Sequence, residues 1–202
     1  MKVRTGFAVF FAAVAFLALP LLATAAEWSV DTSHSHVGFS VRHFLTQVPG
    51  RFNDFEGTIV YDADEPSNSS VDITVDAASI DTANENRDGH LKSEDFFHVE
   101  KYPQLSFKST AVESSGSTLQ VTGDFTMHGV TKSITVPVEV LGVMGKKAGF
   151  SAEFTVDRKD YDVSWNRALD QGGTILGDEV KVRIDVEADL VVTEAEGDQA
   201  SR

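Results

Sequence analysis

Two groups of residues in this 202-residue chain are of the types that do chemistry. His34 and His36 are one residue apart, so on a strand both imidazoles would share a face, a spacing that suits a metal. A third ligand would have to come from His43, His90 or His98, because Val37 to Val41 offers no carboxylate of the kind a cupin-type site uses. The second group is Arg87, Asp88 and His90, followed by Phe96 and Phe97. Arg87 could donate to a phosphate or carbonyl oxygen of a ligand. The same Arg and Asp could instead pair with neighbouring chain and fasten a local helix, and both readings stand. Phe96 and Phe97 read as an apolar plug beneath that helix, with at least one ring turned to a ligand. His128, beside Gly129, reads as a turn residue. No G-x-S-x-G elbow, H-E-x-x-H pair or phosphate-binding glycine loop accompanies either group, so the expectation is a binding protein and not an enzyme.

The frame around these residues starts after an N-terminal leader. Lys2 and Arg4 precede an apolar run from Phe7 to Leu22, and Ala23-Thr24-Ala25 has the small-x-small form of a cleavage site. Residues 1–26 therefore read as a secretory signal peptide cut after Ala25 or Ala26, which implies a periplasmic protein with no stable membrane span after cleavage. A single domain is expected over 27–193, with a polar tail over 194–202. The chain has no cysteine, which excludes thiol catalysis, thiolate metal sites and covalent haem attachment. Losing Lys2 and Arg4 with the leader moves the formal net charge from -14 to -16, which opposes binding to nucleic acid.

Within the domain the apolar residues alternate. Val37-Phe39-Val41, Phe55-Gly57-Ile59-Tyr61 and Val71-Ile73-Val75-Ala77 each have polar or small intervening partners, and Pro49-Gly50 reads as the turn between the first two sets. After a polar excursion come sets beginning at Leu105, Leu119, Ile134, Phe150 and Val180. Pro137, inside one of them, predicts an edge or a bulge. The excursion has a capping-box spacing, Thr82 to Glu85, which predicts a helix starting there, with Gly89 weakening it and Ser93 capping a second turn. About eight strands with one short helix fit either a closed antiparallel barrel or a two-sheet sandwich. Of 14 Phe in the chain, ten lie outside the leader and several of these fall on the dry faces, where they could fill a core or line an elongated cavity.

Four stretches carry a family resemblance: Trp28 to Phe44, Ser79 to Thr110, Val121 to Ile134 and Gly172 to Ala188. In that order they resemble the YceI-like proteins, exported lipocalin-like barrels that bind polyisoprenoid or other long-chain lipids. Asp160-Tyr161-Asp162 departs from the Asp-Phe-Gly more usual there, which puts the local turn in question. The resemblance implies an all-β fold, an eight-stranded antiparallel barrel capped at one end by the helical excursion, with a long-chain lipid as partner and no other cofactor. A homodimer is left open. Patterning then nominates Phe39, Val41, Phe55, Ile73, Val75, Phe96, Phe97, Phe107, Phe125, Phe154 and Trp165 as the apolar channel, and His36, Arg87, Asp88 and His90 as its polar mouth. Ala77 and Gly123 are expected to face inward where a Trp would block the channel. Two alternatives compete with this: a metal- or haem-associated redox or stress protein built on His34 and His36, and a barrel whose core is simply filled.

Overall fold

The computed structural model describes residues 25–170 and 172–192. Nearly all of the expected leader and the whole expected tail lie outside the described residues. The first strand among the described residues begins at Ala26, which pairs with Tyr61.

The strands are β1 (Ala26–Val30), β2 (His36–His43), β3 (Thr46–Phe52), β4 (Phe55–Tyr61), β5 (Ser70–Asp76), β6 (Ile80–Asp81), β7 (Gln104–Ser115), β8 (Thr118–Met127), β9 (Val130–Met144), β10 (Lys147–Asp157) and β11 (Leu176–Leu190). They form one sheet in which β1-β4-β5-β7-β8-β9-β10-β11 closes on itself through a β1–β11 pairing, a ring of eight strands. All pairings are antiparallel. Beyond Asp31–Ser35 and Asn53–Asp54, β2 and β3 carry the paths of β1 and β4 onward. The long β11 pairs with β1 at Leu190 to Ala188 and with β2 from Asp185 to Leu176. The barrel expected from the resemblance is the fold observed.

The register follows the apolar alternation. Val182, Ile184 and Val186 point inward beside Phe154, Ala152 and Phe150, while Lys181, Arg183 and Asp185 face out. A slip of one residue would turn each of these apolar side chains to water, which is why the register is well specified. One end, here called the base, is filled by Trp28, Ile59, Ala148, Phe150, Val186 and Ala188. The other end is the mouth. There β2, β3 and β11 run on past the ends of β5 and β7, so one wall stands taller than the other.

Helix α1 (Glu85–Lys92) and the turns after it lie over the shorter wall. The N-cap is Asn84, whose Oδ1 accepts from the Arg87 N–H at 3.0 Å, and not Thr82. Ala83 takes a left-handed φ of 59°, which turns Thr82 away from the helix start. Ser93 ends the helix by donating its hydroxyl to the His90 carbonyl at 2.7 Å. The residues after it form the expected turn leading to Phe96 and Phe97, with the Asp95 N–H donating to the Ser93 hydroxyl at 3.4 Å.

One other local expectation changes and another holds. Pro49-Gly50 is not a turn: both residues lie inside β3, paired with Ser40 and Phe39. The reversal occurs instead at Phe44-Leu45, between the paired His43 and Thr46. A side chain at position 50 would meet the Phe39 ring at 2.3 Å, so that Gly serves close packing and not reversal. Pro137 does mark an edge, on one side only. It pairs with Gln120 of β8, but β9 and β10 pair only from Val138↔Ala152 to Met144↔Lys147. Above that level the two strands part, leaving a seam in the mouth half of the barrel. The 3-10 turn Arg158–Tyr161 fills it, with Tyr161 buried edge-on to Phe125 at 5.2 Å and Lys132 paired to Asp160 at 2.7 Å.

Candidate functional site

A cavity of about 390 Å³ occupies the barrel. It follows β11 from Leu176 to Val186, roughly 30 Å of strand. At the base it ends on Ile59, Tyr61 and Phe150, the last two edge-to-face at 5.7 Å. Above, its walls are Ile73, Val75, Phe107, Phe125 and Phe154, and near the mouth Phe39, Val41, Phe96, Phe97 and Trp165. These are ten of the channel residues read from the sequence. Phe55 is the exception: it is buried but lies outside the lining, in the apolar cluster that includes Ala77 and Ile80.

The mouth is aromatic and polar together. Phe39 and Phe52 are 5.6 Å apart between centroids, and Phe52 and Phe97 5.8 Å. His90, Phe96 and Trp165 form a mutual cluster with centroids 5.0, 5.0 and 5.1 Å apart. Three of these five contacts are edge-to-face, a geometry that ring quadrupoles favour, and the other two are tilted. The His90 Nε2 is also 2.9 Å from Asp95 Oδ2, which fixes the ring at the rim.

Arg87 and Asp88 both bind Thr82. Asp88 Oδ1 accepts the Thr82 N–H at 2.9 Å and its hydroxyl as well, and Asp88 lies outside the lining. For Asp88 the fastening role is what the structure displays. Arg87 combines both: Nε donates to Thr82 Oγ1 at 2.7 Å and Nη2 to Thr82 O at 2.6 Å, while the residue lines the cavity. Its Nη1 has no partner among the described residues. His36 is not at the mouth. Strand alternation sends Val37 and Phe39 inward and His36 outward, where its ring covers Gly38 on the exposed face.

Nor do Ala77 and Gly123 line the cavity. Ala77 is buried in a 3-10 turn after β5. A Cβ at Gly123 would stand 2.6 Å from the Lys108 carbonyl oxygen and 2.6 Å from the Phe107 ring, so this Gly allows close backbone approach at the β7 irregularity.

One functional residue that sequence reasoning passed over is Arg158. It is 4% exposed, lines the cavity, and donates to the carbonyls of Gly177, Val163 and Trp165 and to Asp178. Burial pulls its guanidinium below the usual value. It holds the segment that presents Trp165. Phe52, Tyr61 and Phe150 were passed over too, although their alternation with polar neighbours was the available signal.

The histidines do not converge on a metal. His34 Nδ1 is 2.8 Å from Asp31, His98 faces Glu94 at 3.8 Å, and His43 lines the cavity near the mouth. Among the described residues the one group with ligand-like closeness is Asp31, His34 and Glu187. Lys147 already sits in it, with Nζ 2.9 Å from Asp31, 3.0 Å from Glu187 and 2.9 Å from Asp189. An ammonium at that point opposes a second cation.

Comparison with known proteins agrees with this geometry. The family described as YceI-like domain matches residues 28–188. Protein YceI of Escherichia coli O157:H7 is 38% identical over 149 residues, covering 70% of this chain and 78% of the relative. The crystal structure of Burkholderia cenocepacia BcnA is similar with a TM-score of 0.72 at 26% identity, over 78% of this chain and 98% of that one. A polyisoprenoid binding domain from Saccharophagus degradans, implicated in plant cell wall breakdown, has the same fold with a TM-score of 0.65 at 16% identity, over 83% of this chain and 99% of that one. A match of this extent, on a closed barrel around an apolar channel, means that the chain belongs to the YceI-like family.

Proposed function

We propose that this protein is a periplasmic carrier that encloses one long-chain lipid, an isoprenoid quinone, a polyprenyl phosphate or a fatty acid derivative. The observation that carries the reading is the channel: an elongated, ring-lined cavity of about 390 Å³ whose charged lining residues, Arg87 and Arg158, lie toward one end. Each buried CH₂ contributes about 0.8 kcal/mol, so a five-carbon prenyl unit contributes roughly 4 kcal/mol before ordering costs. Two or three units would suffice for tight binding, and the head group then selects among ligands more than it adds affinity. Arg87 Nη1 and the His90 edge would meet a head oxygen. The name of the Saccharophagus degradans domain puts isoprenoids first among the chains to try. Binding and release need no covalent step, and export follows from the Lys2–Ala26 leader pattern.

Mass spectrometry of organic extracts from natively purified protein is the test. A co-purifying long-chain lipid, displaced by a fluorescent lipid probe, is the expected result. Protein that yields no lipid and takes up no probe would overturn the proposal.

A further inference from the structure

The tip of the β2–β3 hairpin is built against the interests of a water-facing turn. Leu45 is 97% exposed and Phe44 46% exposed, although a two-residue hairpin loop favours Asn or Gly. Phe44 also holds a left-handed φ of 53°, where a bulky side chain is a steric outlier. Neither solubility nor backbone preference selects these residues, and strain kept at an exposed position points to a use. The conformation is fixed by design: the Phe44 N–H donates to the Ile175 carbonyl at 2.8 Å, and Arg42 Nη1 donates to the Phe44 carbonyl at 2.9 Å.

We propose that Phe44 and Leu45 insert into the surface of a phospholipid bilayer and set the barrel mouth against it. The inference rests on the lipid-carrier reading above. The tip stands directly on the channel: His43 on one flank and its strand partner Leu176 both line the cavity. Two apolar side chains on a convex hairpin bury too little area for a stable protein interface, but they suit shallow insertion below lipid head groups. Charge agrees. In a chain of net -14, Arg42 is anchored at the tip, and Arg167 lies in the adjoining segment whose Ile175 holds Phe44. The nearby Asp178 carboxylate is paired with Arg158 and Lys159 and also feels Arg42, and Asp170 shares the loop of Arg167, so the two arginines offset these carboxylates while facing lipid phosphate. Five further exposed apolar residues, Leu141, Val143, Met144, Val191 and Val192, lie at the base, where Met144 pairs with Lys147, whose ammonium is taken up by Asp31, Glu187 and Asp189.

The test uses the full mature protein and vesicles of phosphatidylcholine with and without phosphatidylglycerol. In L45W, emission should shift to the blue on adding vesicles, while M144W should not respond. The double variant F44N/L45G installs a preferred turn and should fold normally. Its rate of taking a fluorescent prenyl probe from vesicles should fall at least about tenfold, the effect of removing one large apolar anchor. Its equilibrium affinity for the same probe added from solvent should be unchanged. No vesicle-dependent shift in L45W, or unaltered uptake by F44N/L45G, overturns the proposal. A shift that depends on protein concentration without vesicles would assign the tip to a second copy of the chain and also overturn it. If no probe binds by either route, the carrier reading fails, while the L45W shift still judges the tip alone.

Discussion

The Arg158 guanidinium reaches the Trp165 carbonyl at 2.9 Å and the Val163 carbonyl at 2.6 Å from the same Nη1. A single buried cation thus ties the mouth segment to the 3-10 turn that closes the seam. Arg158→Met would leave those carbonyls and that of Gly177 without donors. The expected cost is about 3 kcal/mol, since each buried unsatisfied acceptor costs about 1–3. Denaturant unfolding measures it. Trp165 emission should also move to the red as the segment loosens, and an unchanged midpoint would show that the clip is dispensable.

Ala152 lines the channel between Phe150 and Phe154 and takes the place of Ala77 and Gly123 as the blocking position. Ala152→Phe should fill the channel with no loss of fold. Displacing one prenyl unit costs roughly 4 kcal/mol of binding, about a thousandfold in affinity. Phe55→Leu, outside the lining, should lower stability by about 1 kcal/mol and leave affinity alone. Titration with a fluorescent prenyl probe separates them, and equal affinities would refute the traced channel.

Gly89 sits in α1 with nothing within 4 Å of where a Cβ would be. Gly89→Ala should stabilise the helix by about 0.5–1 kcal/mol. Amide exchange in α1 should slow several-fold, and probe release should slow with it if the helix must yield for the ligand to leave. Slower exchange with unaltered release would show that the ligand leaves by another route.

His34 has its ionisation raised above its ordinary value of about 6.5 by the Asp31 carboxylate, and Asp31 is held well below the carboxylate range by Lys147 and His34. The His34 contribution is full below about pH 6.5 and disappears as pH rises through its higher folded value. The Asp31 contribution is full above about pH 4 and is lost as pH falls toward its depressed folded value. Thermal midpoints should therefore drop slightly on the alkaline side in the native protein, and His34→Ala should flatten that limb while only weakening the acid limb, where Lys147 still holds Asp31. His34 is exposed and Asp31 only partly covered, so the effect is small. A limb that persists in the variant would assign it elsewhere.

The strand plan was legible because its alternation is strict; Val180 to Leu190 could hardly be anything else. The channel walls were legible for the same reason, since a residue's parity says which side of a closed sheet it faces. What parity cannot tell is depth, so Phe55 was misplaced although it points inward. His36 was misplaced because its parity was not set against Val37 and Phe39, whose inward direction turns His36 outward. The Phe44-Leu45 reversal was hidden because its residues have no turn chemistry, while Pro49-Gly50 has it and does not use it. Arg158 was invisible for a different reason: its partners are backbone carbonyls spread from Val163 to Gly177, and no spacing announces them. The Asp162 departure from the usual Gly resolves simply. Asp162 takes φ 60°, ψ 10°, a conformation Gly prefers and Asp tolerates.

The parting of β9 and β10 gives the barrel two kinds of girth. Below Val138↔Ala152 the circumference is laced by ladder hydrogen bonds on every side, and widening it would break them. Above that level, among the described residues, β9 and β10 share no ladder pairs, and Tyr161 and the Lys132–Asp160 pair bridge the gap with side-chain contacts that can give way. A cargo that is slender at its far tip and bulky near its head suits such a vessel, and one with the opposite taper does not. The base acts as a fixed calliper, the mouth half as an expandable collar.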